Sequence, residues 1–211
     1  MKYPIVETFY SLKGEGRWTG TPMFFVRLAG CNLNCSFCDT PFEANEHLTI
    51  SELLERVQRT SARRVVLTGG EPSIHDLIPL LRRLRQNNYL THIESNGTKT
   101  LPIAFLDWIT VSPKSWPLDE YTMTFASEIK FLCGTPDWQM YIDKVRREFS
   151  LTEGGQRLLL LMPIARGKNE EGWSKTQYDF RAENVKNAID YCLKHPEFSF
   201  QIQLHKVLNI K

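Results

Sequence analysis

The sequence has no apolar run of the ~18–20 residues that a membrane-spanning helix needs. Its longest, around Leu158–Pro163, is the length of a buried strand. It also lacks an excess of charge of one sign. Lys and Arg number 26 against 24 Asp and Glu, leaving a formal +2, which argues against a polybasic chain that binds nucleic acid or coats a membrane. No repeat, linker or low-complexity tract interrupts it, and Met1-Lys2-Tyr3-Pro4 shows no signal-peptide core. The expected compartment is therefore the cytoplasm, where cysteines are reduced or bound to metal rather than paired. With 211 residues, 42% of them hydrophobic and 24% charged, disorder is excluded and a single domain over 1–211 is expected.

What is present is an alternation of β-rich runs with amphipathic stretches, the pattern of an α/β fold. Strands are expected at Pro22–Ala29, Arg64–Thr68, Leu90–Glu94, Trp108–Val111, Ser127–Leu132, Arg157–Met162 and Phe198–Leu204. Helices are expected at Ile50–Arg59 (capped by Thr49 or Ser51), Ser73–Asn87, Asp137–Phe149 and Phe180–Lys194. In the second helix Ile74, Leu77, Ile78, Leu81 and Leu84 recur at helical spacing. The polar stretch Ala165–Gln177 reads as a loop. About six to seven mostly parallel strands with helical crossovers are implied. A complete eight-fold (β/α) barrel takes roughly 250 residues, so this chain should form an incomplete one.

Of the five cysteines, three crowd together as Cys31-Asn-Leu-Asn-Cys35-Ser-Phe-Cys38, or C-x3-C-x2-C. Structural zinc and ordinary four-iron clusters take four protein ligands, and the closest further His, His47, is nine positions beyond the last of these thiols. Three thiolates leave one iron of a cluster open for a small molecule. A zinc loop with a remote fourth ligand, or three unrelated thiols, remain the plain alternatives. The remaining pair, Cys133 and Cys192, read as core thiols.

Cys31–Cys38, with Phe37 before the last cysteine, resembles the signature of the radical S-adenosylmethionine enzymes. In that superfamily the open iron is chelated by the amino and carboxylate groups of S-adenosylmethionine, and one electron releases a 5′-deoxyadenosyl radical. Arg64–Pro72 (RVVLTGGEP) resembles the superfamily's strand and G-G-E-P motif, in which Glu71 would accept hydrogen bonds from the methionine ammonium. Ser112-Pro113-Lys114 resembles a further contact with the same cofactor. A surface lysine is the bland reading of Lys114, and a turn that of the glycines.

Within the superfamily, IVETFYSLKGEG (Ile5–Gly16), PMFFVRLAGC (Pro22–Cys31), Asp39-Thr40, IESNGT (Ile93–Thr98), VSPK, SEIKFL and the HKVLNIK ending resemble the 7-carboxy-7-deazaguanine synthase family. The resemblance implies a shortened barrel and a homodimer. It implies conversion of 6-carboxy-5,6,7,8-tetrahydropterin to 7-carboxy-7-deazaguanine for queuosine and other 7-deazapurines, a lyase reaction that releases ammonia. It also implies a [4Fe-4S] cluster, S-adenosylmethionine, Mg2+ and a flavodoxin-like electron donor. Carried over by position, Cys31, Cys35 and Cys38 hold the cluster. Phe37, Cys38, Asp39, Gly70, Glu71, Ser112, Pro113, Lys114, Met162, Pro163, Ile164 and Ala165 contact S-adenosylmethionine. Leu12, Lys13, Gly14, Glu15, Arg27, Thr68, His205 and Lys211 contact substrate, and Thr40 binds Mg2+. Three positions depart from the pattern: Lys13 stands where Gln is common, Met162 where Gln often precedes the Pro, and Lys211 where a small or imino residue is common.

Two other readings compete. A glycyl-radical-enzyme activase shares the cysteine loop but leaves GEG, Asp39-Thr40 and the HKVLNI ending unexplained. A non-catalytic zinc or iron-sulfur module leaves GGEP and SPK unexplained.

Overall fold

A computed structural model describes residues 1–38, 40–149, 157–165 and 181–210. Its strands are β1 (Lys2–Leu12), β2 (Pro22–Leu28), β3 (Glu46–Thr49), β4 (Arg64–Gly69), β5 (Leu90–Ser95), β6 (Trp108–Val111), β7 (Glu128–Cys133), β8 (Leu158–Pro163) and β9 (Phe198–Phe200). Its helices are α1 (Ile50–Gln58), α2 (Ile78–Gln86), α3 (Glu120–Phe125), α4 (Trp138–Glu148), α5 (Ala182–Lys194) and α6 (Leu204–Val207). The strands form one open sheet in the order β3-β1-β2-β4-β5-β6-β7-β8-β9. From β2 to β9 every neighbouring pair is parallel. β1 and β3 extend the β2 edge in antiparallel fashion. The fold is an incomplete (β/α) barrel, with no helix long and apolar enough to cross a membrane among the described residues.

Period-two alternation gives each strand two chemistries. Facing outward, Val26, Leu28, Val65, Leu67, Ile93, Ile109, Val111, Ile129 and Phe131 are buried in the main core. Helices cover them with Leu53, Leu54 and Val57 of α1, Leu80, Leu81 and Leu84 of α2, and Ile142 and Val145 of α4. Each such side chain contributes roughly 1.5–3 kcal/mol by leaving water. Facing inward is a smaller apolar group, Met23, Phe25 and Val66, packed by Phe9 and Trp18. Trp18, from the β1–β2 loop, stands edge-on to His92 and Trp108 at 5.6 and 5.5 Å, with the Arg64 guanidinium 4.4 Å over its ring. Because Arg64 and Trp108 open their strands, this cage floors the barrel at the N-terminal strand ends.

The structure adjusts several expected elements. Nine strands are present among the described residues, the two additional ones being β1 and β3. Thr49, rather than Ser51, caps α1 through a reciprocal box with Glu52. The expected helix over Ser73–Asn87 divides into a single 3-10 turn, Pro72–Ile74, and α2. Proline in the first turn of α2 supplies no N–H and sets a new helix start. Ile74 and Ile78 consequently face solvent, and Leu80 takes the core position. The last strand stops at Phe200, since Gln201 and Gln203 turn inward to bond Gly16 and Glu15, and α6 follows. Apart from Ala165, the loop expected over Ala165–Gln177 lies outside the described residues, as does Phe180.

Candidate active site

The cysteine loop leaves β2 at Gly30, whose N–H donates to the Phe42 carbonyl at 2.8 Å. The Gly69-Gly70 pair brings the end of β4 against it. A Cβ on Gly70 would lie 2.0 Å from the Gly30 carbonyl oxygen, and Gly69 adopts φ +136°. The two glycines thus let backbone meet backbone beside Cys31. The turn after β5 fastens the loop from the other side. Asn96 Nδ2 donates to Asn32 Oδ1 at 2.9 Å, and Asn32 Nδ2 to Thr98 Oγ1 at 2.8 Å.

Cys31, Cys35 and Cys38 carry free thiols that line one cleft. Desolvation pushes the Cys35 thiol up, and its neighbours Cys38 and Cys31 add to the rise against the pull of Lys114. Among the described residues no three His, Cys, Asp or Glu side chains converge on a point where one metal ion would sit. Structural zinc takes four protein ligands, whereas three thiols on one short loop suit three corners of an iron-sulfur cluster.

The cleft measures about 460 Å3 and opens at the C-terminal strand ends, where ligands bind in such folds. Besides the three cysteines it is lined by Leu12, Lys13, Gly14, Glu15, Arg27, Phe37, Thr40, Thr68, Gly70, Ser112, Lys114, Met162, Pro163, Ile164, Ala165 and His205. Arg27 Nε donates to Glu7 Oε1 at 3.0 Å, so its guanidinium enters the cleft already oriented. Gly14 is indispensable where it stands, because a Cβ there would meet the His205 ring at 2.1 Å.

The same cleft is lined by a buried set of alternating charges. Lys13 pairs with Glu94, and Lys130 pairs with Glu15 and, at 3.1 Å, with Glu94. Gln203 Nε2 donates to Glu15 Oε1 at 2.7 Å. Lys13 and Lys130 are only 6% and 8% exposed. Burial opposes the Glu15 charge, but Lys130, Lys13 and His205 outweigh it and hold the carboxyl far below the usual range. Burial likewise opposes the Lys130 charge, and Glu15 and Glu94 overcome it and push that ammonium well up. Lys114 is shifted down, first by burial and then by Lys130.

Two expected contacts fall elsewhere. Glu71 does not line the cleft. It is 1% exposed, and its carboxylate accepts from Asn96 N at 2.6 Å, Ser95 Oγ at 2.8 Å and Ser73 N at 3.0 Å. Three of its roughly four acceptor sites fix the turn that holds Asn32, so it positions the cysteine loop. Pro113 lines a neighbouring hollow behind Cys35 and Phe37. Asp39 and Lys211 lie outside the described residues. Sequence reasoning gave no role to Glu94, Lys130, Gln203 or Asn96. The signal for the first two was there: a charge at alternate positions of otherwise apolar strands, as in Glu128-Ile-Lys130-Phe131.

Fold and thiol loop together define a class. The model of the Radical SAM superfamily matches residues 26–177, and a crystal structure of QueE from Escherichia coli superimposes with a TM-score of 0.78 at 29% identity, covering 97% of this chain and 95% of that one. A 7-carboxy-7-deazaguanine synthase of Bacteroides thetaiotaomicron is 34% identical over 211 residues, the whole of both chains. One of Synechocystis is 32% identical over 216 residues, all of this chain and 95% of the relative. The chain belongs to the radical SAM superfamily and, within it, to the family of the 7-carboxy-7-deazaguanine synthases.

Proposed function

We propose that the chain, acting over 1–211 as a single domain, is a lyase that converts 6-carboxy-5,6,7,8-tetrahydropterin to 7-carboxy-7-deazaguanine with release of ammonia, on the route to queuosine or another 7-deazapurine. The observation that carries this reading is one cleft lined both by three thiols and by a buried, charge-balanced set. Cys31, Cys35 and Cys38 would hold a [4Fe-4S] cluster. Residues next to them, Phe37, Gly70, Ser112, Lys114 and the Met162–Ala165 strand end, would hold S-adenosylmethionine. When bound, that pair supplies the one-electron chemistry that takes a hydrogen atom from the substrate.

The protein's own groups bind and orient. Glu15 would accept from the N–H edge of the pterin, and Arg27 would offer its planar fork to the carboxylate. Leu12, Lys13 and Gly14 border the ring, and Thr68 and His205 complete the wall. Ring contraction needs the reacting carbon held in one orientation, which such a closed set of contacts provides. Thr40 would hold Mg2+ together with substrate oxygens and water. Thr40→Val is expected to keep cluster content and lower the stimulation of turnover by Mg2+; an unchanged magnesium response removes Thr40 as a ligand.

The reading includes a cytoplasmic homodimer served by a flavodoxin-like donor. A sedimentation mass near the 24.5 kDa of one chain at micromolar concentration counts against the dimer. The reaction itself is tested with anaerobically reconstituted, reduced protein, S-adenosylmethionine and the carboxytetrahydropterin. Appearance of the deazaguanine chromophore is expected. Cleavage of S-adenosylmethionine with no deazaguanine would refute the substrate and leave the class standing.

A further inference from the structure

In the wall of the cleft, Glu15 sits between two glycines. Gly14 lies under the His205 ring, and Gly16, at φ +81°, donates its N–H to Gln201 Oε1 at 2.7 Å. The glycines and the C-terminal segment thereby fix the loop backbone. The side chain is fixed separately. One carboxylate oxygen accepts from Gln203 and the other from Lys130. A carboxylate has about four lone-pair sites, so roughly two remain for a ligand. Lys130 arrives from β7 and also bonds Glu94 of β5, whose other oxygen takes Lys13. Lys130 is in ion-pair contact with Glu15.

We propose that Lys130 is the positioning residue of the substrate end of the cleft, holding the Glu15 carboxylate turned toward the N–H-bearing edge of a flat heterocycle. Lys130 acts through Glu15 and has no contact with the reacting atoms. The inference rests on the function proposed above and deepens it, by naming what makes Glu15 a fixed acceptor.

The physical reason is charge balance in a buried place. Two ammonium groups, Lys13 and Lys130, offset two carboxylates, Glu15 and Glu94. The groups facing Glu15 are Lys130 from β7, Lys13 from its own loop, His205 from α6 and Glu94 from β5. Without Lys130, two buried carboxylates share one lysine, and burial plus like-charge repulsion favours protonation of one of them. A protonated Glu15 has lost acceptor capacity and turns freely about its outer bonds.

The test compares the reconstituted parent with Lys130→Met, Lys130→Arg, Glu15→Gln and the Lys130→Met/Glu15→Gln pair. In Lys130→Met the KM for the carboxytetrahydropterin is expected to rise about tenfold or more, with the acid limb of kcat/KM moved up by about one pH unit or more. Cluster iron and S-adenosylmethionine affinity stay at parent values. Lys130→Arg restores the limb, and the double variant is no worse than Glu15→Gln alone. A parental acid limb in Lys130→Met, or losses that multiply in the double variant, overturns the proposal.

A readout independent of turnover separates this idea from the function reading. Infrared titration of carboxylate bands, with Glu15→Gln subtracted, should find Glu15 ionised well below the ordinary carboxyl range in the parent and protonating at higher pH in Lys130→Met. Equal titration in both overturns the inference whatever the substrate proves to be. Should Lys130→Met fail to fold, the parent decides alone: a Glu15 that titrates in the ordinary range overturns it.

Discussion

The two faces of the same strands solve different problems. Along β7 the residues run Glu128, Ile129, Lys130, Phe131, and one step along the chain moves from the barrel interior to the helix-covered layer. Outside, Ile129 and Phe131 join a continuous apolar core in which side chains are chosen for volume. Inside, Glu128 accepts from Thr110 Oγ1 at 2.7 Å and Arg17 N at 2.8 Å, while Lys130 joins the charge set. The outer face supplies stability and is indifferent to which ligand binds. The inner face gives up apolar burial to place paired charges, and each must be matched because an unpaired buried charge is costly.

That contrast can be broken at several points, the most severe being the thiols. Replacing Cys31, Cys35 or Cys38 by Ala should abolish cluster binding and turnover, whereas Cys133→Ala, outside the cleft at the end of β7, should keep both. Cys133 is fully buried and its thiol is pushed up to about 12, mainly by desolvation, so it is an inert core group. Iron content and product yield check this, and iron retention with full turnover in Cys35→Ala would undo the assignment.

Next in size is the outer face. Leu81 is fully buried between α2 and the sheet. Leu81→Ala should cost about 2–5 kcal/mol of unfolding free energy in denaturant titration while leaving the KM for substrate unchanged. A KM shift as large as that of Lys130→Met would mean that the two faces are not separable.

The floor of the barrel offers a pH effect. His92 is 3% exposed, and burial, then Arg64 and Lys13, push its pKa down to about 4. Folded His92 therefore stays neutral where the unfolded side chain, near 6.5, takes up a proton. Its contribution is fully present above about pH 6.5 and is lost as pH falls toward 4, on the order of 3 kcal/mol in all. In His92→Phe the slope of unfolding free energy against pH should flatten in that window; an unchanged slope would assign the acid sensitivity elsewhere.

Smallest is the exposed cap of α1. Thr49→Ala removes the acceptor for Glu52 N and should cost about 1 kcal/mol, visible as a lower unfolding midpoint with no change in cluster content. A loss of cluster in this variant would tie α1 to the cysteine loop.

Much of this molecule was legible one residue at a time. Apolar alternation located the parallel strands, since any parallel strand buried under helices must put apolar residues on its covered face. The thiol spacing singled out the cysteine loop, because three thiols on one short segment need no knowledge of the fold. β1 was missed: in VETFYSL, Glu7, Thr8 and Ser11 break up the apolar pattern, and its pairing with β2 and β3 is antiparallel. The surroundings of Glu71 were hidden for a related reason. A carboxylate after a Gly-Gly turn looks free in sequence, whereas Ser95 and Asn96, more than twenty positions away, occupy it in space.

The sequence by itself determined the fold class, the direction of the sheet and the chemistry of the cysteine loop, since periodicity and ligand spacing are local properties. Only the tertiary structure decided which charges meet. Lys13 and Glu15 lie on a loop near the start of the chain, Glu94 and Lys130 on two central strands, and Gln203 near its end. No local rule couples positions separated by 36 to 188 residues. What brings them together is the curvature of a twisted parallel sheet, which turns the inner faces of distant strands toward one another, so that the buried charges meet as partners.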